Sequence, residues 1–208
     1  MLHHTSTAAF LDELASAAPT PGGGGAAAVM GAMGAALVSM VAHLTVGKKG
    51  YEAREPDARA LLAESQALRD RLMPMVADDA TAFNSLMAAY RMPKSTDDER
   101  AERSDAIQAG LRAATLAPLH CARAAADGVR LASRALGISH PSVISDVGVA
   151  VQASLAALRS AALNVQINVP QLKDLAFAQQ TQAEVEALLA ECLPLGENVH
   201  AGVTAALG

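Results

Sequence analysis

Tryptophan is absent from this 208-residue chain and aromatic residues make up only 2% of it, although 51% of the residues are hydrophobic. The core must therefore be filled by Ala, Leu, Val and Met, which favour helices. Runs of β-branched residues with period-two alternation are missing as well, which argues against a substantial sheet. The two cysteines, Cys121 and Cys192, stand apart with no C-x-x-C spacing and no secretory signal before them. A reduced, cytoplasmic setting is the expectation. The formal net charge is −5, with no long basic block or aromatic-interleaved patch, so nucleic acid is not an expected partner. Zinc catalysis lacks its H-E-x-x-H or H-x-E with P-C-x-x-C pattern, a serine triad lacks its G-x-S-x-G elbow, and no phosphate loop is present.

What is present is organised around the 27 residues from Ala18 to Leu44, APTPGGGGAAAVMGAMGAALVSMVAHL. Pro19 and Pro21 stiffen a turn around Thr20, and Gly22 to Gly25 free the backbone that follows. From Ala26 the pattern is helical. Ala26, Met30, Met33, Leu37, Met40 and Leu44 form one stripe, with the small residues Ala28, Gly31, Gly34, Ala35 and Ala42 opposite, so a helix buried on all sides at the centre of a bundle is expected. Its Gly and Ala content and His43 argue against a membrane span. The first N–H groups of such a helix lack intrahelical partners and emerge from a run without side chains, which makes either an anion-sized cradle or a flexible turn. Gly22-x-Gly24-x-x-Ala27 matches a relaxed dinucleotide fingerprint, but no strand precedes it and the match is discarded.

The remaining segments read as helices on both sides of this one. A short helix over 5–17 opens on Thr5, Ser6 or Thr7 and places Phe10, Leu11 and Leu14 on one face. The loop Thr45 to Tyr51 carries Lys48 and Lys49 between two glycines, either a solvated basic loop or a pair of cations for an anion. A long helix from about Pro56 to Tyr90 contains Pro74, which should bend it. Asp79 in that helix has Met75, Val76, Ala82 and Phe83 as neighbours at three and four positions, so its carboxylate projects from the apolar side, while Asp78 faces mixed surroundings. Thr96 and Glu99 form a capping box for a fourth helix that reaches Leu136. A fifth runs from Pro141 or Ser145 to about Val169. Asp146 and Asn164 share a face of it but lie about 27 Å apart along the axis, so one small ligand cannot touch both from one helix. Asn164 and Asn168 are separated by one turn and suit interhelical hydrogen bonds. Thr181 and Glu184 form a second capping box opening the last helix. The expected fold is all-α, an up-and-down bundle of long antiparallel helices in a single domain spanning 1–208. So alanine-rich a set leaves apolar area that a second copy would cover, so a homodimer is expected.

Thr20-Pro-Gly-Gly-Gly24 at the start of a Gly/Ala-rich helix resembles the opening of the formiminotetrahydrofolate cyclodeaminase and methenyltetrahydrofolate cyclohydrolase family. So do the loop Thr45-Val-Gly-Lys-Lys-Gly-Tyr51, Asp78-Asp-Ala-x-Ala-Phe-Asn84, Tyr90-Arg-Met-Pro-Lys94, Ser145-Asp146-Val-Gly148 and Asn164-Val-x-Ile-Asn168. Two departures stand out: Ser139-His140 where the family often has Gly-Asn, and Gly25 where the turn more often ends in Ser. The resemblance implies an all-helical homodimer that acts on a reduced folate with no metal or other cofactor, no nucleic acid and no membrane. It implies Asp79 as the general acid–base residue, with Asp78 as the other carboxylate to consider. Thr20, Gly22, Gly23, Gly24, Lys48, Lys49, Asn84, Asp146, Asn164 and Asn168 are then the expected substrate-binding residues, the two lysines holding the glutamate tail. Cyclodeaminase is the favoured reaction, cyclohydrolase the alternative, and a non-catalytic helical module that binds folate or a protein the third.

Overall fold

The computed structural model describes residues 6–208. Its helices are α1 (Thr7–Leu14), α2 (Gly23–Thr45), α3 (Glu55–Tyr90), α4 (Asp97–Ile138), α5 (Ile144–Gln166) and α6 (Leu175–Leu207), with no strand among the described residues. Single 3₁₀ turns at Glu52–Arg54, Pro141–Val143 and Val169–Gln171 lead into or out of these helices. Pro74, Pro118 and Pro194 lie inside α3, α4 and α6, each of which continues as one α-helix.

Side-chain contacts fix the directions. Along α2 the partners on α3 recede, from Asp79 beside Gly24 to Ser65, whose Oγ lies 2.8 Å from that of Ser39. The partners on α5 recede likewise, from Asn164 beside Gly23 to Ser154 beside Gly34. Leu86 faces Gly110 and Glu64 pairs with Arg134, so α3 and α4 are antiparallel too. The result is an up-and-down core of α2 to α5, with α6 lying along α4 and α5. Its largest buried side chains include Leu61, Leu72, Leu111, Leu155 and Leu158, and small residues carry the close approaches. A Cβ on Gly34 would stand 2.5 Å from the Ser154 Oγ and 3.0 Å from the Ala150 carbonyl.

Several expectations need correction. Helix α2 begins at Gly23, so Gly23 to Gly25 form its first turn and are not a free loop. Nor is α2 buried all round. The small side, Gly24, Ala27, Ala28, Gly31, Gly34, Ala35 and Ala42, packs into the core, because only small residues allow three neighbouring helices this close. The larger stripe faces outward, with Met33 58%, Met40 37% and Leu44 50% exposed. Helix α1 is shorter than 5–17, ending at Leu14. Ser6 caps it, accepting the Ala9 N–H at 3.1 Å, and Phe10 is buried while Leu11 is exposed. Thr5, the first candidate cap, lies outside the described residues.

The capping box of Thr96 and Glu99 is present. The one at Thr181 is not, because α6 starts earlier, where Asp174 accepts the Phe177 N–H at 3.0 Å. Thr181 is buried mid-helix, and Glu184 is held by Arg123 of α4. Helix α5 stops at Gln166, short of Val169, and Pro170 sits in the 3₁₀ turn that follows. Two segments are long and apolar enough to cross a membrane, Gly23–Thr45 and Pro141–Gln171, and 61% and 50% of their apolar windows are buried in the bundle.

These two kinds of site separate in a urea titration. Gly34→Ala forces Ser154 and the α5 backbone aside and should cost about 1–3 kcal/mol. Thr96→Ala removes one exposed cap and should cost about 1 kcal/mol. Equal midpoints for Gly34→Ala and the parent protein would show that α2 and α5 do not approach this closely.

Candidate active site

The first turn of α2 is assembled against a carboxylate from another helix. Gly22 is the N-cap and offers no side chain, so the N–H groups of Gly23, Gly24 and Gly25 begin unpartnered. Asp79 of α3 supplies the missing acceptor. Its Oδ2 takes the Gly25 N–H at 3.2 Å, and a Cβ placed on Gly24 would fall 2.0 Å from Oδ1. Glycine at position 24 is therefore a matter of space. The Gly23 and Gly24 N–H groups and the positive end of the helix dipole remain for a ligand.

They open into a cavity of about 380 Å³, within the ordinary range for a small-molecule site. Pro19, Thr20 and Gly22 to Gly24 form one side, and Asp79, Phe83, Leu86, Met87 and Tyr90 of α3 form another. Ala114 of α4 and Asn164, Ile167, Asn168 and Gln171 complete the lining. The two asparagines are fixed by their amino groups: Asn164 Nδ2 donates to the Ser160 carbonyl at 2.8 Å, and Asn168 Nδ2 donates to Ala114 at 2.9 Å and to Asn164 at 3.0 Å. Since Nδ2 must be the donor to a carbonyl, each Oδ1 is left as the acceptor. At the rim the Tyr90 hydroxyl donates to Gln171 Oε1 at 3.2 Å, while Arg103 holds the Tyr90 carbonyl.

Burial pushes the Asp79 carboxyl above its ordinary value, and the Gly25 N–H pulls it part of the way back. A carboxyl in this state can take and return a proton closer to neutrality than an exposed aspartate can. Behind it on α4, Cys121 is pushed up to about 12, first by burial and then by the Asp79 charge. This thiol is inert packing beside the acid. Among the described residues no group of three His, Cys, Asp or Glu is placed to hold a metal ion.

Thr20, Gly22, Gly23, Gly24, Asp79, Asn164 and Asn168 thus meet in one cavity. The other expected residues do not join them. Asp78 and Asn84 are exposed and outside the lining, because each is turned away from the α3 face that carries Asp79 and Phe83. Lys48 and Lys49 follow the far end of α2, about 34 Å along its 23-residue axis from Gly23, so within one subunit they cannot share a ligand with the glycine turn. Asp146 sits in the first turn of α5, at that same far end. There Tyr51 packs its ring 5.3 Å from that of His140, whose Nδ1 accepts the Ser142 N–H. The sequence reading did not assign Phe83, Leu86, Met87, Tyr90, Ala114, Ile167 or Gln171 to the site. Phe83, Tyr90 and Ile167 stood in quoted motifs without a role, and the others look like ordinary core or turn residues until three helices converge.

An all-helical bundle with a half-buried acid over a helix start defines the class, and comparison supplies the family. Residues 6–187 match the family model described as formiminotransferase-cyclodeaminase. The chain belongs to that family, as an enzyme of its cyclodeaminase or cyclohydrolase type. It is 52% identical over 191 residues to a methenyltetrahydrofolate cyclohydrolase of Methylorubrum extorquens, covering 92% of each chain. It is 33% identical to the formimidoyltransferase-cyclodeaminase of Rattus norvegicus, matching 89% of this chain but only 34% of that protein. The formiminotetrahydrofolate cyclodeaminase of Thermotoga maritima superposes with a TM-score of 0.90 at 27% identity over the whole of both chains.

Asp79→Asn should behave oppositely in stability and in catalysis. The native carboxyl is raised above its unfolded value, so its ionisation opposes folding, an effect absent below the ordinary carboxylate range and complete above the native value. The Asn variant keeps an oxygen for the Gly25 N–H and should melt at or above the parent temperature at pH 7, with the gap closing as the pH falls below about 4. Calorimetry at several pH values measures this. In the same folded protein Cys121 should resist maleimides at pH 8.

Proposed function

We propose that this enzyme opens the methenyl bridge of a reduced folate, converting 5,10-methenyl-tetrahydrofolate and water to 10-formyl-tetrahydrofolate. The observation that carries this reading is the 52% identity to the Methylorubrum extorquens cyclohydrolase along 92% of each chain. It reverses the order of the two reactions favoured by the sequence motifs, which are common to both. Asp79 takes a proton from water as the oxygen bonds to the bridge carbon, giving a neutral tetrahedral carbinolamine. The bond from that carbon to N5 then breaks. Asp79 returns its proton to N5, the carbinol hydroxyl loses its proton to solvent, and the formyl group stays on N10. One proton is released in sum. The Asn164 and Asn168 oxygens accept from N–H groups of the pterin, and the Gly23 and Gly24 N–H groups face the oxygen that gains charge.

A second reading, the cyclodeaminase, is supported by the whole-length match to the Thermotoga maritima protein. There N10 attacks the formimino carbon on N5, and the same carboxyl accepts the N10 proton and passes one to the departing nitrogen, which leaves as ammonia. On either reading the enzyme acts in the cytoplasm without metal, other cofactor, nucleic acid or membrane.

One assay separates the readings: purified protein with 5,10-methenyl- and with 5-formimino-tetrahydrofolate, following absorbance and ammonia. Turnover of the first alone without ammonia is expected, unchanged by a chelator. Asp79→Asn should lower kcat by about 10²–10⁴ while the protein stays folded, and kcat/KM of the parent should fall on the acid side at a pH above the ordinary aspartate range, because the ionised base is required. Near-normal kcat in the Asn variant would remove Asp79 from the mechanism.

A further inference from the structure

Helix α2 stops where the cavity begins. The face of α3 that packs on it, with Leu72 against Gly31, Val76 against Gly25 and Asp79 against Gly24, steps on by threes and fours to Phe83, Leu86 and Tyr90. Helix α3 runs on past Asp79 for about 16 Å, a stretch that α2, beginning at Gly23, does not reach. On the other side Asn164 stands beside Gly23, and the turn after α5 carries Gln171 to Tyr90, whose hydroxyl bonds it at 3.2 Å. Ala114 of α4 completes the enclosure. The cavity of about 380 Å³ is thus the slot that a longer α2 would fill.

One side chain in this slot has no task in the fold. The chain has only three Phe and two Tyr, and all but one of them have partners. Phe10 sits in the main core, Phe177 lies 3.9 Å under the Arg112 guanidinium, Tyr51 meets the His140 ring at 5.3 Å and Tyr90 bonds Gln171. Phe83 is half-buried and lines the cavity, yet among the described residues it joins none of the three apolar clusters. Its neighbours Leu86 and Met87 do, packing with Leu111 of α4. A flat apolar side chain that faces a cavity, one helical turn beyond an acid, is a surface for a ring.

We propose that Phe83 is the face on which the fused ring of the ligand lies: the pterin occupies the slot with N5 at Asp79 and its flat pyrimidinone ring over Phe83, and Tyr90 with Gln171 closes the outer end. The choice of a pterin rests on the folate reading above; that the slot takes a flat ring does not. The two walls order the ligand. On the α5 side the amide oxygens of Asn164 and Asn168 are held in place by nitrogens committed to carbonyls, and they suit the N–H edge of a pterin. On the α3 side Phe83 suits its face. A p-aminobenzoyl ring has only C–H groups along its edge and would leave both oxygens unpaired. Spacing agrees, since Asp79 and Phe83 are about 6 Å apart along the helix axis and the two rings of a pterin are fused side by side.

Titration calorimetry reads the slot without turnover, using 6-methyltetrahydropterin as the ring system alone and p-aminobenzoylglutamate as the remainder of the folate. Phe83→Leu should weaken tetrahydropterin binding about ten-fold and leave p-aminobenzoylglutamate binding unchanged. Phe83→Tyr, which keeps the ring, should bind the tetrahydropterin within about two-fold of the parent. The Leu variant should melt with the parent, because Phe83 packs in no apolar cluster; a clear fall in melting temperature would make it a core residue and end the assignment. In turnover the Leu variant should raise KM about ten-fold and lower kcat by less. Weakening of p-aminobenzoylglutamate instead, equal weakening of both probes, a Leu variant that binds like the parent, or a parent that does not bind the tetrahydropterin overturns the ring site. A parent that binds the tetrahydropterin but turns over neither folate defeats the functional reading instead, and the calorimetric comparison still decides the slot.

Discussion

The carboxylate of Asp79 lies where the side chain of residue 24 would be, and most of the site follows from that contact. A charge half removed from water needs a donor, and the Gly25 N–H provides one at 3.2 Å. The same carboxylate closes an α2 N-terminus that has no cap of its own. Each group thus relieves a deficit of the other: an orphan donor and a poorly hydrated acceptor. Holding the acid to a helix start also keeps its oxygens beside two further N–H groups, an arrangement suited to acid–base chemistry in which charge shifts during the reaction.

For the acid to reach the glycine turn, α2 must pack closely against α3, as it does against α5, and small residues make this possible. Gly24, Gly31 and Gly34 meet Asp79, Leu72 and Ser154 at distances that leave no room for a methyl group without movement. Once the small face is committed to the core, the methionines and leucines of α2 must face outward. The exposed apolar stripe is thus a consequence of how the active site is built.

The relatives carry two names on one fold, and the site shows how one set of groups can serve both chemistries. Hydrolysis of a methenyl bridge and loss of ammonia from a formimino group each pass through a tetrahedral carbon between the same two nitrogens. Each needs a proton taken from an attacking group and a proton returned to a leaving one. A single carboxyl raised by burial is a proton carrier that suits either.

Much of this was legible without coordinates, for physical reasons that can be named. The paucity of aromatics and the helical periodicity demanded an all-helical bundle, and the motif at 78–84 drew attention to Asp79 because a carboxylate among Met75, Val76, Ala82 and Phe83 violates a local pattern. Such signals depend on near neighbours in the chain, which a helix fixes by itself. The direction in which α2 faces was not legible, because an apolar stripe and a small-residue stripe both read as buried and only the spacing of three neighbouring helices chooses between them. Nor was the role of Gly24, which looks like a flexible hinge until a side chain 55 residues away in sequence occupies its Cβ position. The cavity wall of Leu86, Met87, Ala114 and Gln171 belongs to the same category, as does the 34 Å between the lysine loop and the glycine turn. Sequence determined which residues are chemically capable; the packing of helices distant along the chain decided which of them share a site, because proximity across a bundle leaves no trace in local periodicity.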